Sequence, residues 1–291
     1  MTMLKKTSIQ LLAFLLAMSL GIFGLGALLT GPAPSAVGTL SVDLPVETIT
    51  ISTTQGTEVH GWLAHGRPGN AAILLVHSMR SNRLEMLSRA QFLHAAGYHV
   101  LMIDLHAHGE TAGDRITFGA RESESVVAAV HFLRNTYPHE RLGAVGASLG
   151  AAALVLAPQN LKLDAVILES LHPTFEEAVH NRLKLHLGEH ASFLLPVMLS
   201  QLSFYTGSTV NRLNPIDKID ELHSPVLFIA GTQDAHTTQS ESERLYNAAR
   251  SPKEIWIVPG AGHFNMHNYA GKEYERHVLA FLAQHLRRDA Q

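Results

Sequence analysis

The sequence predicts an α/β architecture: a largely parallel central sheet with helices on both faces, preceded by one apolar helix at the N-terminus. Three observations carry this. From about residue 40 onward, short apolar runs alternate with longer stretches of helical periodicity. Most of those runs are continuous rather than alternating, as in strands buried on both faces. Ahead of them stands a single hydrophobic run of 21 residues, 9–29, behind Lys5 and Lys6.

Taken in order, the first two strands, 47–52 and 59–64, flank the turn signal Gln55-Gly56 and are expected to form an antiparallel hairpin. The remainder reads as βα units. Buried strands are expected at 71–76, 100–104, 142–145, 165–168, 226–230 and 254–258, and helices at 84–96, 121–135, 149–156, 240–249 and 272–286. One interval breaks the rhythm, because about fifty residues separate the strand ending near Glu169 from the next, more than a crossover requires. That stretch, 171–224, reads as a helical lid over the carboxyl ends of the strands, where open α/β sheets bind ligands. Its Phe193, Leu194, Met198 and Phe204 are candidates to line an apolar acyl pocket.

The N-terminal run contains only Gln10 and Ser19 as polar residues and is long enough to cross a bilayer. A cleaved signal peptide has a shorter apolar centre and small residues at its cleavage site, whereas 31–36 carries two prolines. An uncleaved anchor is therefore favoured, and a secreted domain is the outcome if cleavage does occur. Lys5 and Lys6 precede the run and no Lys or Arg follows before Arg67, so the positive-inside rule places residues 1–8 in the cytoplasm and the folded domain on the opposite side. Residues 30–40, rich in Gly, Pro, Ala and Ser, read as a linker, and residues 41–291 as the domain.

A net charge of −3 offers no basic field for nucleic acid. With no cysteine, neither disulfides nor thiolate metal sites can form. The partners expected are a small-molecule acyl substrate and, through the N-terminal helix, a membrane; no protein partner is identified.

Gly146-Ala147-Ser148-Leu149-Gly150 matches G-x-S-x-G between an apolar strand and an Ala-rich helix. A serine on such a turn projects above the sheet, and the helix N-terminus favours developing negative charge. A serine hydroxyl is a weak nucleophile and requires a base, which in turn requires an acid to orient it. In this motif the order is Ser, acid, His. Asp234 follows the strand at 226–230 and His263 lies on the glycine-rich loop after the strand at 254–258, which completes a Ser148, Asp234, His263 set. Glu169 is the competing acid, and among 19 histidines His236 and His267 are the nearest rivals to His263. The oxyanion of an acyl-transfer intermediate needs backbone N–H donors. Leu149 supplies one, and Met79, in the loop after the strand at 71–76, is nominated for the other. His77 in that loop reads as a structural residue.

On these residues, together with Val76-His77-Ser78, Asp104-Leu105-His106-Ala107-His108-Gly109 and Gly262-His263, the chain resembles the α/β-hydrolase family over about residues 47–288. Within it the chain is similar to bacterial hydrolases described as serine aminopeptidase-like or acyl-esterase-like. The resemblance implies the α/β-hydrolase fold, a Ser-Asp-His triad, an acyl-enzyme intermediate and no metal or other cofactor. Two departures stand out: Ser78 occupies the place of the usual Gly of an HG pair, and His106-Ala107 that of the common Arg-Gly. Hydrolysis of an ester, thioester or amide is the expected reaction, with a carboxylic ester favoured over aminopeptidase-like or acyl-CoA thioesterase activity. From other classes, Asp104, His106 and His108 form a D-x-H-x-H run that a metal-dependent hydrolase could use, and an inactive binding module could keep the same fold.

Overall fold

The computed structural model describes residues 2–38, 44–263 and 265–286. Eight strands form one sheet: β1 (Glu47–Ser52), β2 (Glu58–Ala64), β3 (Ala72–Val76), β4 (His99–Ile103), β5 (Leu142–Ala147), β6 (Ala165–Glu169), β7 (Val226–Gly231) and β8 (Lys253–Val258). Their spatial order is β8-β7-β6-β5-β3-β4-β2-β1. The β1–β2 and β2–β4 pairs are antiparallel and the other five pairs parallel. The chain steps from β3 to β4 on one side and returns to β5 on the other, so β3 is the point at which strand order reverses, and a crevice opens there between carboxyl ends.

The pleat explains why the central strands are continuously apolar. Ala72, Leu74 and Val76 of β3 join one core, while Ile73 and Leu75 join the core on the opposite face. Side chains alternate between faces, and each face is covered. Helices α2 (Leu87–Ala95), α3 (Glu122–Thr136), α4 (Leu149–Leu156), α7 (Gln239–Ala248) and α9 (Lys272–Leu286) supply the cover. The fully buried Ala151, Ala152 and Ala153 let α4 lie close on the sheet. A capping box formed by Thr238 and Glu241 opens α7.

Between β6 and β7 the lid contains α5 (Phe175–Leu187), a 3-10 turn at Glu189–Leu194 and α6 (Leu195–Thr206). A short α8 (Met266–Ala270), absent from the sequence expectation, precedes α9. The N-terminal α1 (Thr2–Thr30) includes an apolar stretch, Ser8–Thr30, of 23 residues. At 1.5 Å per residue that stretch is about 35 Å long, enough for a hydrocarbon core of about 30 Å.

The C-terminal end of α1 is docked on the domain. Arg80 donates to the carbonyls of Leu28, Leu29 and Gly31, meeting acceptors that a helix end leaves unpaired. The N–H of Ile116 donates to Thr30 O (2.8 Å), and Tyr205 donates from α6 to Phe23 O (2.6 Å). The segment read as a linker runs along the 107–109 loop: Ala33 N–H donates to Ala107 O (2.8 Å) and Ser35 N–H to Gly109 O (2.9 Å).

Beneath the crevice lies a buried ion pair. Arg89 of α2 donates through Nε to Glu169 Oε1 (2.9 Å) and through Nη2 to Oε2, and Tyr274 donates to the same carboxylate. Burial works against the Arg89 charge, but the neighbouring Glu169 more than offsets this and keeps the guanidinium protonated. Glu169→Ala leaves that cation unpaired and is expected to lower unfolding free energy by about 3–5 kcal/mol. Arg89→Met combined with Glu169→Leu removes both charges and should recover most of the loss. Denaturant unfolding of the two variants checks the difference.

Candidate active site

Ser148 ends the sharp turn from β5 into α4 with φ 50° and ψ −106°, a conformation that L-residues resist. Its neighbours make the turn possible. A Cβ on Gly150 would lie 2.3 Å from Val76 O, and one on Gly146 would lie 2.6 Å from Ala151 N, so only glycine fits either place. The Ser148 N–H donates to Glu169 O at 2.8 Å, tying the turn to the next strand.

The other two expected residues arrive on neighbouring strands. Asp234 follows β7 and is 5% exposed; His263 follows β8. His263 Nδ1 lies 2.8 Å from Asp234 Oδ2, and Nε2 lies 3.1 Å from Ser148 Oγ. Because the carboxylate only accepts, Nδ1 carries the proton and the Nε2 lone pair faces the serine. The other carboxylate oxygen accepts from the N–H groups of His236 and Thr237, each at 2.8 Å. Burial raises the affinity of Asp234 for a proton, but hydrogen bonds from His263 and Thr237 and the nearby imidazole more than offset it. Its carboxyl therefore lies below the usual range. The structure thus brings Ser148, Asp234 and His263 together, while Glu169 is turned to Arg89 and Tyr274. His236 lies beside His263 with ring centroids 4.8 Å apart and the rings tilted by 39°, and His267 pairs with Glu275.

Met79 and Leu149 both line the cavity that reaches Ser148. Leu149 is the first residue of α4, where helix geometry leaves an N–H unpaired. The loop bearing Met79 is held from below. Leu105 N–H donates to His77 Nε2 (3.0 Å), which fixes the proton on Nδ1, and Nδ1 donates to Ser78 O (2.7 Å). Ser78, in its departure from glycine, donates from both N–H (2.9 Å) and hydroxyl (2.6 Å) to Glu85.

The D-x-H-x-H run does not form a ligand set. Asp104 accepts from the Arg83 N–H at 2.7 Å, from the Arg83 guanidinium, and from Glu110 N–H at 2.9 Å, so its carboxylate is engaged in holding its loop. His106 faces Asp114 at 3.8 Å, and His108 Nδ1 lies 2.8 Å from His106 O. No three His, Asp or Glu side chains converge on one point for a metal among the described residues.

Above Ser148 lies a largely apolar cavity of about 470 Å³, within the range of small-molecule sites. Of the four lid candidates, Met198 lines it, and Phe193, Leu194 and Phe204 do not. Helical spacing explains the result. Met198, Gln201, Leu202 and Tyr205 share the inward face of α6, which leaves Phe204 on the far face, 76% exposed, and Phe193 in the preceding turn, 71% exposed. Two further walls escaped the sequence reading. Leu25, Gly26, Leu29 and Thr30 of α1 close one side, and Arg182 and His172 stand on another. Nothing in the sequence announces the first. Arg182 could have been found as a charge on the apolar stripe formed by Phe175, Ala178, Val179 and Leu183.

The profile described as the alpha/beta hydrolase family matches residues 59–276, and the chain belongs to that family. Relatives include the uncharacterized protein YqkD of Bacillus subtilis, 27% identical over 236 residues, which cover 80% of this chain and 77% of YqkD. The uncharacterized protein Rv2307c of Mycobacterium tuberculosis is 28% identical over 262 residues, 87% of this chain and 84% of the relative. Among solved structures, the Pyrococcus furiosus esterase Pf2001 superposes with a TM-score of 0.74 at 21% identity, covering 88% of this chain and 98% of the esterase. That likeness is one of fold.

Burial pushes the imidazole of His108 down to about 4, with further depression from nearby His77, and His108 is fully buried. The unfolded chain, with an ordinary histidine near 6.5, binds a proton that the folded chain refuses, so stability falls as pH drops below about 6.5 and levels off below about 4. The contribution is about 3 kcal/mol over that window. Asn keeps a donor for His106 O but does not titrate. Urea unfolding of His108→Asn between pH 7 and 4 should show a shallower loss than the parent, and an unchanged slope counts against the assignment.

Proposed function

We propose that the chain is a serine hydrolase that cleaves a carboxylic ester through an acyl-enzyme intermediate, with Ser148, His263 and Asp234 as its triad and no cofactor. The observation that carries this reading is the continuous hydrogen-bonded relay from Asp234 through His263 to Ser148, opening into an apolar chamber. Ser148 Oγ attacks the ester carbonyl as His263 Nε2 takes its proton. The N–H groups of Met79 and Leu149 receive the oxyanion, and Asp234 holds the imidazole in the required tautomer. Collapse of the tetrahedral intermediate expels the alcohol, which takes the proton back from His263. Water, deprotonated by the same imidazole, then releases the acid and restores Ser148. The apolar chamber favours an acyl chain over the charged amino terminus that an aminopeptidase must hold.

In this reading α1 remains attached as a membrane anchor, with the domain on the non-cytoplasmic side. The support is structural as well as compositional. The C-terminal end of α1 forms part of the chamber wall, and cleavage ahead of the domain would open it.

Two measurements test these proposals. Ser148→Ala should abolish p-nitrophenyl ester hydrolysis and fluorophosphonate labelling, and Asp234→Asn should reduce kcat by about 10⁴-fold. Folded Glu169→Gln should stay within about tenfold of the parent, since that side chain lies outside the relay; the reverse ranking would reassign the acid. For the anchor, the full-length mass should persist in carbonate-washed membranes, and protease added to right-side-out vesicles should digest the domain. A soluble, shortened product would identify a cleaved signal instead.

A further inference from the structure

Two arginines stand on the chamber wall, and only one is accounted for. Arg80 is committed to the carbonyls that end α1. Arg182 projects from the apolar stripe of α5, where, among the described residues, a single bond from Nη1 to Ala178 O of its own helix, 2.9 Å, is its hydrogen bond. Among the described residues no carboxylate lies within ion-pair range of it. A guanidinium carries five N–H donors in a planar fork, so most of its donor capacity is left for something else.

The described surroundings supply no free carboxylate; an unpaired acceptor on the chamber wall, Gln201 Oε1, is neutral. Asp234 is the acid whose field reaches Arg182, and both of its oxygens are already bonded, to His263 and to the N–H groups of His236 and Thr237. His172, also on the wall, is buried with Nε2 unpartnered, and His236 is unpartnered at Nδ1. Burial, with Arg182 and His263 nearby, pushes His172 down to about 3, so it remains neutral. Burial, with the same two neighbours, pushes His236 down to about 4. The corner beside Ser148 therefore holds a guanidinium with no free carboxylate to pair it, beside two neutral imidazoles. The wall formed by Leu25 and Leu29 of α1 and Met198 and Leu202 of α6 is largely apolar, with Gln201 as a neutral polar member. An unpaired cation on an apolar face is costly to bury, and its cost is offset when a ligand brings the missing anion.

We propose that the chamber takes an anionic amphiphile: an ester whose apolar chain lies between α1 and α6 and whose carboxylate or phosphate pairs with the Arg182 guanidinium. The proposal rests on the serine-hydrolase reading for the reaction, but not for the binding. Arg182 selects the substrate and takes no part in bond making. The planar fork matches both anions in a bidentate manner, which a lysine cannot reproduce.

The test uses the full chain in phosphatidylcholine nanodiscs. Calorimetric titration with hexyl phosphate should give binding at least tenfold tighter than hexanol. Arg182→Leu should erase that difference, and Arg182→Lys should keep only part of it. In the kinetic arm, kcat/KM is compared for the p-nitrophenyl monoester of adipate, which carries a free carboxylate, and for p-nitrophenyl hexanoate. The ratio of the two should fall at least 30-fold in Arg182→Leu. The larger of the phosphate and carboxylate effects names the preferred anion. Equal losses on both esters indicate a merely structural arginine and overturn the proposal, as does parent protein that binds hexyl phosphate no better than hexanol. Should the parent hydrolyse neither ester, the serine-hydrolase reading fails, while the titration still decides the anion site.

Discussion

The site depends on one strained residue. Ser148 is held with positive φ at the end of β5, a conformation that costs about 1–3 kcal/mol for a side chain of its type. The strain persists because the sheet leaves no alternative. The Ser148 N–H is fixed to Glu169 O, α4 lies close on β3 through Gly150, and the Glu169 side chain is anchored by Arg89 and Tyr274. The buried ion pair thus helps to hold the strand beside the turn, although neither of its side chains enters the relay. Breaking it loosens the support of the turn as well as the core.

Polar and apolar duties are divided between different parts of the chain. The relay groups come from loops at the carboxyl ends of β5, β7 and β8, which the sheet spaces rigidly. The chamber comes from α5, α6 and the end of α1, whose placement depends on packing between apolar faces. Such a division has an electrostatic consequence. A lid that excludes water lowers the local dielectric around the relay and strengthens each charge within it. The same exclusion keeps His172 and His236 neutral, whereas the imidazole of His263 is backed by the Asp234 carboxylate.

The strands were legible because burial on both faces leaves a direct mark in composition: β1, α4 and α9 fall at their expected bounds, the other strands shift by a residue or two, and α2 begins three residues late, after a 3-10 turn at Arg83–Met86. The order Ser148, Asp234, His263 was legible because each residue lies in the loop or turn within five residues of the carboxyl end of an apolar run, and the structure places the three in hydrogen-bond contact. The lid was legible as helical but not as a surface. Phe193 and Phe204 attracted attention by their size, whereas the inward face of α6 is set by 3.6-residue spacing from Met198, and one short amphipathic helix does not declare which side meets the domain. The five-residue α8 is too short to show a period. No local pattern predicted that residues 31–38 would be bonded to the 107–109 loop, because backbone pairing at that distance leaves no side-chain signature.

The end of α1 shows why composition alone could not assign that helix. A bilayer and an apolar chamber ask for the same side chains, so leucines at 25, 28 and 29 satisfy either. Glycine separates the two demands. A Cβ at Gly21 or Gly24 would meet nothing within 4 Å, but one at Gly26 would lie 2.7 Å from the Gln201 amide oxygen and 2.8 Å from the Tyr205 ring. Lipid imposes no such limit, and a glycine within a helix costs about 1 kcal/mol relative to alanine. Its position is explained by the approach of α6, with Tyr205 bonded to Phe23 O one turn away. The segment that reads as a membrane span is therefore also shaped as a component of the domain.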